Sequence, residues 1–245
     1  MDRKKLAYRF AIYMLGFVFL AFGITLNTKC GLGVSPIISV AYTFSLILDI
    51  KVGNTNFVLY CLLILIEIVL HAIRKQPKMV FVFDILQIVV SIIFTRVINV
   101  FSEFIPQFDV EYSGQWQGSL PFRIFLLIIA ITFTGIGCAL SLDMRMVPNP
   151  GDGIVQAVSD TVKKPVGFCK NCIDVFMVAI TATLTFSMYT KIAATPVKSF
   201  LSVIGLGTVL AVIGVGRIIA IFNHFYYSKL THKAGINPIL DKNTK

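Results

Sequence analysis

Charged residues are scarce in this sequence, and acidic residues are the scarcest. Asp and Glu number 12 among 245 residues, Lys and Arg number 22, and the four together make up 14%. Hydrophobic residues make up 56%, and the mean hydropathy is +0.83. A soluble domain of this size needs much less apolar surface. The composition therefore excludes a soluble protein and predicts an integral membrane protein.

The sequence also lacks the motifs of soluble enzymes. It contains no Ser-His-Asp or H-E-x-x-H arrangement, no P-loop and no dinucleotide-binding glycine pattern. Cys169 and Cys172 form a lone C-x-x-C, without a second pair for zinc and without a βαβ context for redox chemistry. We therefore predict that the protein is not an enzyme and that it holds no cofactor and no metal.

The net charge of +10 comes from basic residues gathered in short clusters between apolar segments. A nucleic-acid-binding protein instead carries a basic stripe with interleaved aromatic residues, and no such stripe occurs here. The clusters are topology signals, and we predict no nucleic-acid partner.

Long apolar runs are what the sequence has most of. A helix needs roughly 20 residues to cross the hydrocarbon core, and six segments reach that length. The predicted spans are about Leu6–Leu26, Asn56–Ile73, Met79–Phe101, Leu120–Leu142, Asn171–Tyr189 and Val197–Tyr226. Two shorter segments, Pro36–Ile50 and Pro150–Val162, have roughly 14 residues each, which suits a half-membrane or re-entrant helix.

A polar, helix-breaking stretch precedes each short segment. These two breaks are Cys30–Pro36 and Val147–Gly153. Pro does not continue a helix from its N-terminal side, and Gly makes a tight turn easy. Irregular backbone at membrane depth is tolerated only where it lines a cavity or is buried in protein. Paired breaks, one in each half, are typical of transporters with a site at the midplane.

The two halves of the sequence repeat each other weakly. A shift of 114 positions (150 − 36) superposes Pro36 on Pro150 and Arg9 on Arg123 without a gap. We therefore predict an internal duplication within a single transmembrane domain. The predicted boundaries are 1–245 for the domain, about 6–113 for repeat one, about 120–228 for repeat two and 229–245 for a cytoplasmic tail.

Charge indicates how the halves are related. The loop at 102–119 is acidic and has no Lys or Arg, whereas the N-terminus and the loop at 74–78 are basic. The positive-inside rule places the basic loops in the cytoplasm. This placement requires that each half makes three full crossings and has one re-entrant segment. Lys191 and Lys198 are exceptions to the rule, because this topology places them outside. An odd number of crossings inverts the second half relative to the first.

The predicted fold class is therefore an all-α polytopic membrane protein. It has six transmembrane helices plus two short re-entrant or half helices, arranged as two inverted-topology repeats. Both termini are predicted to be cytoplasmic.

In this topology both short helices point their N-termini toward the bilayer midplane. Each N-terminus offers unpaired N–H groups and about half a positive charge, which favours an anion. Pro-kinked helices packed through Gly are the alternative. Asp152 either caps its own helix or binds a cation or an amine. The residues predicted at this site are Asn27, Ser35, Pro36, Asn149, Pro150, Gly151, Asp152 and Gln156.

Two arginines are further candidates for the same site. Arg96 and Arg217 are superposed by a shift of 121 positions (217 − 96), late in the last span of each half. They could hold an anionic solute through bidentate contacts. The alternative is that each snorkels to the interface or binds carbonyls at a helix end.

Other polar residues lie inside predicted spans, where they are costly and therefore candidates for function. Glu67 and His71 are four residues apart, and they form either a proton-coupling site or a structural pair. Asp84 and Gln87 share one helical face, although Asp84 is close to the cytoplasmic end of its helix.

Glycine-rich motifs in both halves are similar to those of a known family. The runs Cys30–Pro36, Pro150–Gly153 and Gly205–Leu210 resemble those of the bacterial YczE/YitT-like integral membrane proteins, over nearly the whole chain. In that family the first break often carries an Asp after the Pro, whereas Ile37 stands there in this sequence. The resemblance implies a protein of the bacterial cytoplasmic membrane, commonly regarded as a transporter, and it names no substrate.

These features predict a small secondary transporter of a small anionic or zwitterionic solute, with a midplane site between two half-helices. Its partners would be the lipid bilayer and that solute. The alternatives are a membrane partner, acting as a regulatory or substrate-binding subunit of a larger complex, and a passive channel. Ala7 and Ala11 would give the first helix a small-residue face for a partner protein or a second copy.

Overall fold

The computed structural model describes residues 3–164, 166–188 and 203–236. Within these ranges the chain is helical, with nine α-helices, one 3₁₀ turn at Trp116–Gly118 and no β-strand. The helices are α1 (Arg3–Lys29), α2 (Pro36–Leu48), α3 (Val52–Ile73), α4 (Lys78–Phe104), α5 (Phe108–Glu111), α6 (Leu120–Asp143), α7 (Pro150–Val162), α8 (Val166–Met188) and α9 (Leu206–Ala234).

Six of these helices, α1, α3, α4, α6, α8 and α9, are long and apolar enough to cross a bilayer. The prediction of six spans is thus confirmed, and the protein is a multi-pass membrane protein. Large apolar side chains point outward from the long helices, as with Leu65 and Ile73 of α3, which are 58% and 68% exposed. Such a surface is stable in contact with lipid rather than water.

The last span differs from its prediction at both ends. The described helix α9 begins at Leu206 and continues to Ala234, so residues 229–234 of the predicted tail are helical. Residues 197–202 of the predicted span lie outside the described residues, as do Lys191 and Lys198.

The two short helices are built alike. α2 and α7 have 13 residues each, and each begins with a proline, where the missing N–H leaves no bond unmade. Each is followed by a residue in the left-handed conformation, Asp49 at φ 52° and Lys163 at φ 54°. The N–H of that residue donates to the carbonyl of Ser45 or Ser159, respectively. The shift of 114 positions relates these ends as well (163 − 49).

The first long helices of the two halves, α1 and α6, pack antiparallel. Arg9, near the start of α1, donates from Nη2 to the Met144 carbonyl oxygen at 2.7 Å, just after α6 ends. Arg123, near the start of α6, donates from Nε to the Cys30 carbonyl oxygen at 2.6 Å, just after α1 ends. The start of each helix therefore lies at the end of the other.

Glycine allows α1 and α6 to approach closely. A Cβ at Gly23 would lie 2.5 Å from the Thr134 nitrogen and 2.7 Å from the Ala130 carbonyl oxygen. A Cβ at Gly137 would lie 2.7 Å from the Gly16 carbonyl oxygen. Small residues of this kind let membrane helices pack backbone to backbone. α1 and α6 are also the most buried of the six long helices.

The predicted basic loops that are described lie at one end of the bundle, which we call the basic end. Arg74, after α3, lies with Nη1 3.2 Å from Asp160 Oδ2 in the last turn of α7. Arg145, after α6, lies with Nη2 3.3 Å from the Tyr227 hydroxyl of α9. All four residues line one cavity. At the opposite end of the bundle, Lys51 before α3 pairs with Glu103 near the end of α4.

Candidate functional site

The two predicted helix breaks meet inside the bundle. A Cβ at Gly151 would lie 2.7 Å from Ile37 Cδ1, so the first turns of α2 and α7 touch, with the Ile37 side chain between them. From there α2 runs toward Lys51 at the opposite end, whereas α7 runs toward Asp160 at the basic end. Each short helix thus extends from the interior to a different end of the bundle.

A cavity of about 790 Å³ lies beside the second break. Its inner end is formed by Glu67, Asp84 and Gln87, which are 3%, 1% and 0% exposed, respectively. Its outer part contains Gln156 and Asp160, which are exposed. The cavity therefore opens at the basic end, and its size suits a small solute.

Four polar side chains of α3 and α4 meet at the inner end, and we call them the α3–α4 cluster. His71 Nδ1 lies 2.9 Å from Asp84 Oδ2, and Gln87 Nε2 donates to Glu67 Oε1 at 3.0 Å. The sequence predicted the pairs Glu67–His71 and Asp84–Gln87, each on one helical face. The packing of α3 against α4 joins the two pairs into one group.

Gly153 of α7 closes the cluster from the other side. A Cβ there would lie 2.7 Å from Glu67 Oε2 and 3.1 Å from Gln87 Oε1, so any side chain would displace the carboxylate. In the part of the chain that the structure describes, these two buried oxygens have no hydrogen-bond partner. The cluster thus has two acceptor atoms open toward the first turns of α7.

Of the predicted site residues, Asn149 and Gln156 line this cavity. Asn149 is 7% exposed, and its Oδ1 has no hydrogen-bond partner within the described ranges. Gln156 lies two turns further along α7, toward the opening. The cavity brings both of them together with the α3–α4 cluster, which the sequence alone did not join to the break.

Pro150, Gly151 and Asp152 lie in the same first turn of α7 but are not part of the cavity lining. Asp152 is partly buried, and the Cys138 thiol lies 3.8 Å from its Oδ2. A lysine of α8, Lys170, is close enough to Asp152 to attract it electrostatically. Asp152 therefore faces α6 and α8, on the side of α7 away from the cluster.

Asn27, in the last turn of α1, and Ser35 and Pro36, in the first break, are not part of this cavity lining either. Asn27 is 3% exposed, and its Oδ1 is a buried acceptor with no hydrogen-bond partner among the described residues. Pro36 is buried and Ser35 is partly buried. The structure therefore places the eight predicted site residues around the two breaks, but only Asn149 and Gln156 at this cavity.

Arg96 and Arg217 lie on exposed faces of α4 and α9 and do not line the cavity. Arg96 donates from Nη1 to Asn54 Oδ1 at 3.2 Å, near the start of α3. This placement of Arg96 agrees with the alternative in which the arginine binds at a helix end rather than to a solute.

The first break is closed off by the segment that leads into α9. The Val34 N–H donates to the Val203 carbonyl at 3.0 Å, and the Gly207 N–H donates to the Leu32 carbonyl at 2.6 Å. Gly33 has φ +108°, and a Cβ there would lie 2.6 Å from the Gly205 nitrogen. Backbone therefore packs directly on backbone at this break.

One further residue of the cavity lining, Asp143, was not among the predicted site residues; it is 6% exposed. Its Oδ1 accepts a hydrogen bond from Asn223 Nδ2 at 3.3 Å. The signal was present, because Asp143 is an acidic residue that directly follows a predicted span and lies four residues before the second break.

Comparison with known proteins identifies a family but no characterised relative. The family model described as "Family of unknown function (DUF6198)" matches residues 7–224, which is most of the chain. No curated protein and no solved structure matches it. The chain therefore belongs to the DUF6198 family.

Proposed function

We propose that this chain is a small secondary transporter, built as two inverted-topology repeats and open here at the basic end. The observation that carries the proposal is an asymmetry between equivalent places. Val34 and Leu32 of the first break are closed off by the segment before α9. Pro148 and Met146, which the shift of 114 positions superposes on them, line an open cavity. Inverted repeats that exchange two such states give alternating access.

The contacts between α1 and α6 support the inverted repeats. The shift of 114 positions carries Arg9 and Met144 onto Arg123 and Cys30 with their roles exchanged (123 − 9 and 144 − 30). The two hydrogen bonds are therefore images of each other under a two-fold rotation. The antiparallel packing of α1 and α6 gives this rotation axis the orientation expected for inverted repeats, in the plane of the membrane.

Contacts near the breaks follow the same relation. Ser39 Oγ lies 2.7 Å from Thr181 Oγ1, and the shift carries this pair onto Gly153 and Glu67, which also touch. Phe19 stacks edge-on against Phe133, its own equivalent (133 − 19), with ring centroids 5.1 Å apart. A residue that touches its own equivalent lies on the axis of the two-fold relation.

We place α2 and α7 as half-helices within the membrane. At about 1.5 Å per residue, 13 residues give each helix about 20 Å, less than the roughly 30 Å of the hydrocarbon core. Their contact at Ile37 and Gly151 then lies near the midplane, and each runs to its own membrane surface.

The basic end is assigned to the cytoplasm by the positive-inside rule, so the N-terminus and the end of α9 are cytoplasmic. The resemblance to the YczE/YitT-like proteins supports a bacterial cytoplasmic membrane. The cavity then opens inward.

The charges of the cavity favour a zwitterionic solute over a simple anion. Carboxylates of Glu67 and Asp84 lie at its buried inner end, whereas Arg74 and Arg145 line its outer part. A solute with a positive group inward and a carboxylate outward matches both regions. A purely anionic solute would meet the buried carboxylates without compensation.

Uptake by the purified protein in liposomes is the test. We expect accumulation of at least one small zwitterion from a panel of neutral amino acids, with small carboxylates taken up less. Failure of every solute in a broad panel would contradict the proposal.

A disulfide tests the alternating access separately. Val34→Cys with Val203→Cys joins two residues whose backbones are already hydrogen-bonded, and it would hold the first break closed. Uptake should stop on oxidation and return on reduction, and each single variant is the control. Uptake that continues through a fully formed disulfide would rule out this motion.

The two alternatives have less support. A passive channel needs a continuous path, and the first break is closed in the described residues. Ala7 and Ala11 are exposed on α1, but no other observation identifies a protein that would cover them.

A further inference from the structure

We propose that the α3–α4 cluster binds a divalent transition-metal cation through Glu67, His71 and Asp84. One ligand atom from each lies within 4.8 Å of the other two, and all three residues are buried. Metal–ligand bonds are about 2.0–2.2 Å long, so two ligands of one ion lie up to roughly twice that distance apart. Small side-chain rotations therefore bring the three atoms onto one ion.

The charge of the cluster favours a cation. Glu67 and Asp84 are 3% and 1% exposed, and in the described ranges neither forms an ion pair with a Lys or Arg. Asp84 has a histidine as its partner, and Arg74, which lines the same cavity, is held by Asp160. Buried carboxylates are stable when they are paired or when they coordinate a metal.

Two buried oxygens without partners point to the same ligand. Glu67 Oε2 and Gln87 Oε1 accept no hydrogen bond from the described residues. Both lie against Gly153, where any side chain would displace them. An unpaired buried acceptor is unfavourable, and a cation at the cluster would give both oxygens a partner. The Gln87 amide oxygen then becomes a fourth ligand.

The ligand types select the class of ion. Imidazole with carboxylates suits Mn²⁺, Fe²⁺, Co²⁺ and Zn²⁺, whereas Mg²⁺ and Ca²⁺ prefer oxygen ligands throughout. The cavity connects the cluster to the basic end of the bundle, so a hydrated ion can reach it. This inference stands on the cluster itself and does not require that the protein transports a solute; a bound ion would take the place that the proposed function gives to the positive group of a solute.

Binding of Mn²⁺ to the purified 245-residue protein, followed by electron paramagnetic resonance, tests the site. Mn²⁺ is the probe because, unlike Zn²⁺, it has little affinity for the thiols of Cys169 and Cys172. We expect one ion per chain. Asp84→Asn and His71→Gln should weaken binding by more than the roughly 10–100-fold that follows loss of an outer-shell partner. Glu103→Gln, which lies at the opposite end of the bundle and does not line the cavity, should leave the affinity unchanged.

Gly153→Ala provides a test that removes no ligand. Its Cβ would crowd Glu67 Oε2, so Mn²⁺ should bind more weakly although the donor set is complete. Thermal unfolding gives the second readout, because Mn²⁺ should raise the Tm of the native protein and raise that of Gly153→Ala less. The absence of stoichiometric binding would overturn the proposal. So would equal Mn²⁺ affinities of the native protein, Asp84→Asn and Gly153→Ala.

Discussion

At the scale of single residues, glycine determines how closely the two most buried helices approach. A Cβ at Gly23 would meet the Thr134 nitrogen at 2.5 Å, and this neighbour is backbone that cannot rotate away. Gly23→Ala should therefore force α1 and α6 apart and destabilise the protein by about 1–3 kcal/mol. Thermal unfolding in detergent measures this as a lower Tm.

Gly216→Ala is the matched control for that substitution. Gly216 lies in α9, and a Cβ there would have no atom within 4 Å. Alanine also favours the helix by about 1 kcal/mol relative to glycine. The Tm should therefore stay the same or rise slightly, and an equal loss at both positions would contradict close packing at Gly23.

A substitution at the residue that follows a short helix should raise the Tm rather than lower it. Lys163 has φ 54°, a left-handed conformation that costs a residue with a Cβ about 1–2 kcal/mol relative to glycine. Lys163→Gly should therefore raise the Tm. Lys164→Gly, at the next position and without positive φ, should not raise it. A lower Tm for Lys163→Gly would show that the cap is held by its side chain.

At the scale of elements, an arginine near the start of each of α1 and α6 binds backbone carbonyls just after the end of the other helix. Arg9 and Arg123 donate to carbonyls just after α6 and α1, and lysine cannot reproduce this paired geometry. Arg9→Lys and Arg123→Lys should each reduce the free energy of unfolding by about 1–2 kcal/mol. Chemical denaturation of the two variants should give similar losses. Arg96→Lys, on an exposed face, should change it by less than about 0.5 kcal/mol.

Much of this arrangement could be predicted because it is local. Pro36 and Pro150 mark the starts of the short helices, and the length of the apolar runs gives six spans. The shift of 114 positions also fits the structure, since it relates the caps of α2 and α7 and the two arginine contacts. Proline and glycine restrict the backbone wherever they occur, so their effects can be read without knowing the neighbours.

The site could not be predicted in the same way because it depends on which helix faces meet. Periodicity places Glu67 with His71 on one face of α3, but not that this face packs on Asp84 of α4 and Gly153 of α7. The expected open space between the two helix N-termini is occupied where they touch, by the side chain of Ile37. The size and shape of the cavity beside the second break are set by contacts across the whole bundle.

At the scale of the whole molecule, places that the shift of 114 positions relates share contacts but carry different side chains. Ser39 of α2 meets the Thr181 hydroxyl, whereas Gly153 at the equivalent place in α7 meets the Glu67 carboxylate, so only the second place has an ionisable group. In the proposed carrier, a symmetric framework would let the molecule exchange two conformations, and the unlike side chains would give one binding cluster in both. Such a division of roles suits a carrier with a single site.

Cysteine labelling across the membrane tests the predicted orientation. Gln156→Cys lies at the cavity opening, and Trp116→Cys lies 66% exposed at the opposite end. The experiment uses sealed vesicles and protein that carries Cys172→Ser, which removes an exposed native thiol. An impermeant maleimide should label Trp116→Cys from the membrane side that faces the outside of the cell. Gln156→Cys should be labelled from the cytoplasmic side. Labelling of both from one side would contradict the topology.

The most direct measurement of the central claim compares Gln156→Cys with Tyr42→Cys, the position that the shift of 114 superposes on it (156 − 42). Gln156 is exposed at the basic end, whereas Tyr42 is 7% exposed. Alternating access predicts that conditions driving transport protect Gln156→Cys and expose Tyr42→Cys to reagent from the other side. If Tyr42→Cys stays protected while transport proceeds and Gln156→Cys stays reactive, the two halves do not exchange conformations.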